Sequence, residues 1–202
     1  MTFKAVSVDS LMLYFKQEIS EEVLNEVQAT YLTLKELEGI VDLTPSYCSI
    51  LVQFDIFIHN HKSLIKKITQ TAVGLASADK KPNKLITIPT NYKNNLDLKR
   101  VAQHNKLSIE EVITQHTQTT YRVYAIGFMV GFAYLATVDK QISTPRLESP
   151  RKKVPKGSVA IADNQTAIYP QDSAGGWNII GHTAFDEFES FQVGDRIQFV
   201  RI

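Results

Sequence analysis

The sequence predicts an α+β protein: a small N-terminal α+β domain followed by a β-rich domain of sandwich or closed-barrel type. Three observations predict it. In the first half, short β-prone runs alternate with two amphipathic helical patterns in the order β-β-α-β-β-α-β, which suits helices on one face of a sheet. Beyond Thr119 helical periodicity stops, and short β-rich pieces separated by Pro, Gly, Asn and Asp take over. Between the halves lies the polar stretch Ser77-Ala-Asp-Lys-Lys-Pro-Asn83, where the charge balance changes. Residues 1–80 hold 7 basic and 10 acidic groups, and residues 81–202 hold 15 and 11, so the domains are placed at 1–80 and 81–202.

The elements follow in order. Lys4–Ser7 and Leu11–Phe15 are short strands. Ser20 is placed to cap a helix, with Glu21 and Glu22 favourable beside its positive end. Val23, Leu24, Val27, Tyr31, Leu34 and Leu37 recur at helical spacing to about Glu38, and Gly39 ends the run. Ile40–Leu43 and Ser49–Phe54 are strands hinged at Pro45-Ser46. A second helix covers about Lys62–Leu75 and stops at Gly74, and Lys84–Ile88 gives the last strand of the β-β-α-β-β-α-β series. The second half opens with helices near Asp97–His104 and Ile109–Thr117. Ser108 and Glu111 have capping-box spacing at the start of the latter. Strands then fall at Tyr121–Ile126, Ser158–Ala162, Thr166–Tyr169, Asn178–Thr183 and Arg196–Val200.

Composition removes several classes. Of 202 residues, 44% are hydrophobic and 21% charged, so the chain folds rather than remaining disordered. Its net charge of +1 argues against nucleic-acid binding over a whole surface, since counterion release needs an excess of cations. A single cysteine, Cys48, forms neither an internal disulfide nor a thiolate zinc cluster, and it reads as a packed thiol. His59 and His61 lack a third ligand and read as an exposed polar turn, so no metal site is expected. The N-terminus shows no secretory pattern, and the apolar stretch Ala125–Val138 is too short to span a bilayer, so a soluble cytoplasmic protein is expected. A Walker-type loop, a Gly-x-Gly-x-x-Gly turn and a Gly-x-Ser-x-Gly elbow are all missing.

Three features carry candidate chemistry. His116 follows Ile109, Val112 and Ile113 at helical spacing, which makes it either a hydrogen-bonded core histidine or a pocket group that handles a proton, the one catalytic candidate. The segment Thr144–Lys156 holds five cations, one anion and three prolines. It is either a solvated loop or a stiffened path that aims Arg146 and Arg151 at a carboxylate or phosphate. Gly175-Gly176 precede the only tryptophan, Trp177, in a tight turn or in a pocket wall with exposed backbone N–H groups.

Taken together, the ordered segments Pro45-Ser-Tyr47, Gly127-Phe128, Gly131-Phe132, Tyr134-Leu135, Thr144-Pro-Arg-Leu147, Pro150-Arg151, Gln165-Thr166, Tyr169-Pro170, Gly175-Gly-Trp177, Ile180-Gly181 and Gly194-Asp-Arg196 resemble the KipI/PxpB family of B-type 5-oxoprolinase subunits, also called allophanate hydrolase subunit 1-like. The resemblance covers nearly the whole chain. It implies a small α+β sandwich domain followed by a cyclophilin-like β-barrel. It also implies a subunit, inactive alone, of an ATP-dependent 5-oxoprolinase that works with a larger PxpC/KipA-type subunit of related fold and a third PxpA-type protein. Family members alternatively inhibit a sporulation histidine kinase, or act on allophanate and other urea-type amides. ATP is the only small cofactor implied, and without a Walker-type loop it is either bound here in another geometry or held mainly by the partner. On this reading Arg146 and Arg151 supply cations, Gln165 meets the lactam, and Phe132, Tyr169 and Trp177 wall the pocket.

The chain departs from the family pattern at Val130, Ala133, Ala167, Ala174 and His182, where proline, proline, glycine, proline and arginine are usual. Lost prolines imply looser loops, Ala167 forgoes positive φ, and His182 gives up a permanent cation. These exchanges leave the fold intact and bear on full 5-oxoprolinase activity and on substrate preference.

Overall fold

A computed structural model of the chain describes residues 1–72, 84–93 and 95–202. They form two units, Met1–Pro82 and Asn83–Ile202. The expected linker around Ser77–Asn83 and the helix stop at Gly74 lie outside the described residues.

In the first unit, strands β1 (Thr2–Ser7), β2 (Ser10–Tyr14), β3 (Ile40–Pro45) and β4 (Ser49–Phe54) make an antiparallel sheet in the order β1-β2-β4-β3. Period-two alternation sends Leu11, Leu13, Ile50, Val52 and Phe54 to one face. Helices α1 (Glu21–Lys35) and α2 (His61–Ala72) cover that face with Val23, Val27, Leu34, Leu64 and Ile68. Each such side chain contributes roughly 1.5–3 kcal/mol when fully buried. The Ser20 hydroxyl accepts the Val23 N–H at 3.3 Å, as its position before two glutamates predicts. The helix ends at Lys35 rather than Glu38, because Glu36 and Leu37 close with tighter bonds to Thr33 and Leu34. Gly39 then turns the chain at φ +83, where a Cβ would strike His59 and Ile58. His59 is therefore not part of an exposed turn: it is buried, and its Nε2 meets the Glu38 carbonyl at 2.9 Å. His61 stands edge-on to Phe54, and the Cys48 thiol donates to Gln17 at 3.4 Å.

The second unit is built on seven strands: β5 (Leu85–Thr90), β6 (Thr120–Ile126), β7 (Ala133–Ala136), β9 (Ser158–Ala162), β10 (Gln165–Ile168), β12 (Asn178–His182) and β13 (Arg196–Arg201). They form one sheet in the order β12-β9-β10-β7-β6-β13-β5. Two short strands, β8 (Arg151–Val154) and β11 (Ser173–Gly175), pair separately. The strand near Lys84–Ile88 thus belongs to this unit, where it lies parallel to β13, and not to the N-terminal domain. The two outer strands of the sheet meet where Asn91 and His182 exchange backbone hydrogen bonds of 2.8 and 2.9 Å, which nearly closes a barrel. The apolar stretch 125–138 folds as the end of β6, a turn and β7, and no helix among the described residues is long and apolar enough to cross a membrane.

Helices α3 (Leu98–Asn105) and α4 (Ile109–Gln118) complete this unit. The capping box at α4 is formed in both directions, with Glu111 N–H on the Ser108 hydroxyl at 3.2 Å and Ser108 N–H on the Glu111 carboxylate at 2.7 Å. Val112, Ile113, Val123, Leu135, Val159, Ile161, Ile168, Ile180 and Phe199 fill the interior. The alternate positions of the same strands, among them Ala160, Ala162, Ala167, Tyr169 and Ile179, point to the opposite face and form a second, aromatic-rich cluster.

Candidate functional site

Strand alternation separates the predicted site residues into two groups. Gln165, Ala167 and Tyr169 project from one face of the β10 segment, whereas Thr166 and Ile168 face the interior. Phe132, Tyr134, Tyr169 and Trp177 share the first face, and Gln165 pairs with Ala136 and Ala162 at its margin. Phe132 is the hub, with ring centres 4.9 Å from Tyr134, 5.4 Å from Tyr169 and 5.8 Å from Trp177, all near edge-to-face.

His116 lies on the other side of the sheet and is fully enclosed. Its Nδ1 is 2.7 Å from the Tyr92 hydroxyl and its Nε2 2.9 Å from the Thr166 hydroxyl. Thr166 donates its own proton to the Ala160 carbonyl at 3.0 Å, so its oxygen accepts from Nε2–H, and Nδ1 accepts from Tyr92. Burial pushes the imidazole down to about 3, and burial likewise raises Tyr92. A neutral ring with both nitrogens occupied and no route to solvent does not exchange protons with a substrate. The expectation of a catalytic His116 is corrected to the core histidine that was its alternative.

The basic segment is irregular up to Pro150 and becomes strand β8 at Arg151, and its two arginines differ. Arg146 is exposed and lies 5.6 Å from the centre of the Trp177 ring, a cation–π distance. Arg151 opens β8, opposite Gly175 in β11. Its Nη2 donates to Asp97 Oδ1 at 2.6 Å, while Asp97 Oδ2 accepts the Ile179 N–H at 2.7 Å. Arg151 is thereby fixed to the start of α3 and to β12. Arg100, one turn along α3, donates to the Asn178 side-chain oxygen and to the Pro145 carbonyl. Asn178 in turn donates to the Pro145 and Ile161 carbonyls at 3.0 Å each.

Neither Gly175 nor Gly176 uses positive φ. Gly175 is instead a close-approach position, since a Cβ there would run into the Tyr169 hydroxyl. Burial raises Tyr169, and a hydrogen bond from the Trp177 backbone and the charges of Arg146 and Arg151 oppose that rise. Tyr134 is raised by burial and pulled back by Arg146. Asp97, Arg100 and Tyr134 were not among the residues expected at this site. Only Tyr134 carried a local signal, its spacing of two from Phe132.

The altered positions scatter. Ala167 sits in a regular strand opposite Ala160, so the forgone glycine conformation has no use there. Ala133 points into the interior, Val130 and Ala174 are exposed, and His182 Nε2 meets the Lys156 carbonyl at 3.1 Å. Among the described residues no group of three or more His, Cys, Asp or Glu side chains is placed to hold a metal ion.

Comparison with known proteins gives a consistent result. Residues 1–194 match the family described as carboxyltransferase domain, subdomain C and D. The chain is 33% identical to the B-type 5-oxoprolinase subunit of Bacillus subtilis over 96% of its own length and 89% of that protein's. The crystal structure of TTHA0988 superposes with a TM-score of 0.83 at 31% identity, covering 97% of this chain and 40% of that one. Urea amidolyase from K. lactis shares the fold, with a TM-score of 0.78 at 16% identity over 99% of this chain and 15% of that one. Architecture and similarity along nearly the whole chain thus converge, and the chain belongs to the carboxyltransferase-domain subdomain C and D family, alongside the B-type 5-oxoprolinase subunits.

Proposed function

We propose that this chain is a subunit of an ATP-dependent 5-oxoprolinase, acting with a larger subunit of related barrel fold and a third protein, and inactive alone. The observation that carries the reading is the similarity to the Bacillus 5-oxoprolinase component along nearly the entire length of both chains. The larger size of TTHA0988 fits a unit that operates beside further protein.

A lactam resists hydrolysis because resonance holds electron density on its carbonyl oxygen. Transfer of the ATP γ-phosphoryl group to that oxygen makes the ring carbon electrophilic. ADP is the other product of that transfer; water then attacks the carbon and the C–N bond opens to give γ-glutamyl phosphate, which a second water hydrolyses to glutamate and phosphate. Such a step needs cations near the developing negative charge and a site that excludes bulk water. Arg146, Arg151 and the rings of Phe132, Tyr169 and Trp177 supply groups of that kind on this chain. ATP has no Walker-type loop here, so its binding is assigned mainly to the partner.

The test is co-expression with the larger subunit and the third protein, followed by measurement of glutamate released from 5-oxoproline. Release that needs ATP and all components supports the reading. No release from the purified complex, together with inhibition of a sensor histidine kinase by this chain, replaces it with the regulatory role.

A further inference from the structure

The charges on the aromatic face do not balance. Among the described residues, the carboxylate seen to pair with any of Arg100, Arg146 and Arg151 is that of Asp97, and both its oxygens are used, by Arg151 and by the Ile179 N–H. Arg100 meets only neutral acceptors, and Arg146 has no acidic partner among the described residues. Arg151 is fixed through Nη2, yet its Nη1 is enclosed and has no hydrogen-bond partner among the described residues. A buried donor left unmade is strongly unfavourable, more so on a charged group, and such atoms are rare in folded proteins unless something else meets them. Arg151 lies opposite Gly175, the close-approach position against the Tyr169 hydroxyl, and Arg146 lies over the Trp177 ring, so the two cations flank the Tyr169 and Trp177 edge of this face.

The geometry points to a carboxylate-binding subsite in which one ligand oxygen accepts from Arg151 Nη1, the other from Arg146, and the body of the ligand lies against Trp177 and Tyr169. Two guanidinium edges match the two oxygens of a planar carboxylate. A phosphate calls for more donors, commonly a nest of backbone N–H groups. Here the N–H groups of Leu147, Trp177 and Ile179 are already taken by the Gly176 carbonyl, the Tyr169 hydroxyl and Asp97. Asp97 is the positioning residue: it holds Arg151 by one nitrogen and so presents the other. The inference deepens the proposed function and rests on it only for the identity of the ligand, 5-oxoproline, whose carboxylate would occupy this subsite.

Trp177 is the only tryptophan, so its emission reports on this subsite alone. The full chain is titrated with 5-oxo-L-proline, acetate, 2-pyrrolidinone (the same lactam without a carboxylate) and inorganic phosphate, with calorimetry on the same samples. The expected result is saturable binding of 5-oxoproline, weaker binding of acetate, and none of 2-pyrrolidinone. Arg146→Gln and Arg151→Gln should each weaken carboxylate binding roughly tenfold or more. Arg146 is exposed, so its variant folds even if that of Arg151 does not, with circular dichroism as the check. The inference is overturned by the absence of binding by either carboxylate, by equal binding of 2-pyrrolidinone, by phosphate binding more tightly than both carboxylates, or by unchanged affinity in Arg146→Gln. Acetate binding that Arg146→Gln abolishes, with no response to 5-oxoproline, keeps the subsite and removes 5-oxoproline as its ligand. Turnover in the co-expressed complex judges the proposed function separately.

Discussion

An imidazole enclosed between Tyr92, Tyr121, Thr166 and Phe199 is held neutral, and the consequence can be read in solution. His116 is lowered from 6.5 to about 3 by burial. Below pH 6.5 the unfolded chain therefore takes up a proton that the folded chain refuses. The contribution is fully present above the unfolded value and is lost as pH falls from 6.5 towards 3, by up to about 1.4 kcal/mol per unit. Urea unfolding at pH 6.5 and at pH 5 should show this loss in the native protein, and His116→Gln should remove most of it while lowering stability at both. An equally steep loss in the variant would assign the dependence to other groups. The position of His116 on an apolar helix face is legible in the spacing of Ile109, Val112 and Ile113. Its partners are not, because Tyr92 and Thr166 come from distant segments that only the closed sheet brings to it. Arg151 repeats the lesson: its cationic character is plain, but the carboxylate that holds it lies 54 residues away.

Among elements, those with a local cause are the readable ones. Capping at Ser20 and Ser108 places the start of each helix, and the alternation through Ser49–Phe54 and the short apolar run of Ser158–Ala162 place their strands. Strand β8 is hidden because Arg151-Lys-Lys looks like a solvated loop, and β11 because three residues carry too little pattern. Strand β5 reads as part of the wrong sheet, since nothing local to Leu85–Thr90 reveals a partner at the far end of the sequence. The β8–β11 pair also yields a paired test. Gly175→Ala forces a methyl group into the Tyr169 hydroxyl and ring and should cost about 1–3 kcal/mol, with the Trp177 emission shifting to longer wavelength. Gly176→Ala meets nothing nearer than Pro150 at 3.6 Å and should fall within about 0.5 kcal/mol of the native protein. Equal melting temperatures for the two variants would show that the hairpin gives way without strain.

At the scale of the whole molecule, each unit has its own apolar interior. Phe199 is buried in the second, 4.5 Å from the His116 ring. Phe199→Ala should cost about 3–5 kcal/mol. Hydrogen exchange should then show lost protection in β6, β13 and α4, with β2 and β4 retaining theirs. Comparable losses in both units would mean that they unfold as one block. The parallel pairing of β5 with β13 also has a consequence for synthesis. Among the described residues, the strand pairings of the first unit all lie between Thr2 and Phe54, so that sheet can close as soon as this length has left the ribosome. Strand β5 follows soon after, but Arg196–Arg201 emerges roughly a hundred residues later, a delay of about 5–20 s at ordinary elongation rates. For that interval Leu-Ile-Thr-Ile-Pro-Thr is an apolar strand without its mate. Pro89 withholds one N–H from any other chain that would pair with it, and so protects the nascent protein from its neighbours on the polysome until β13 arrives.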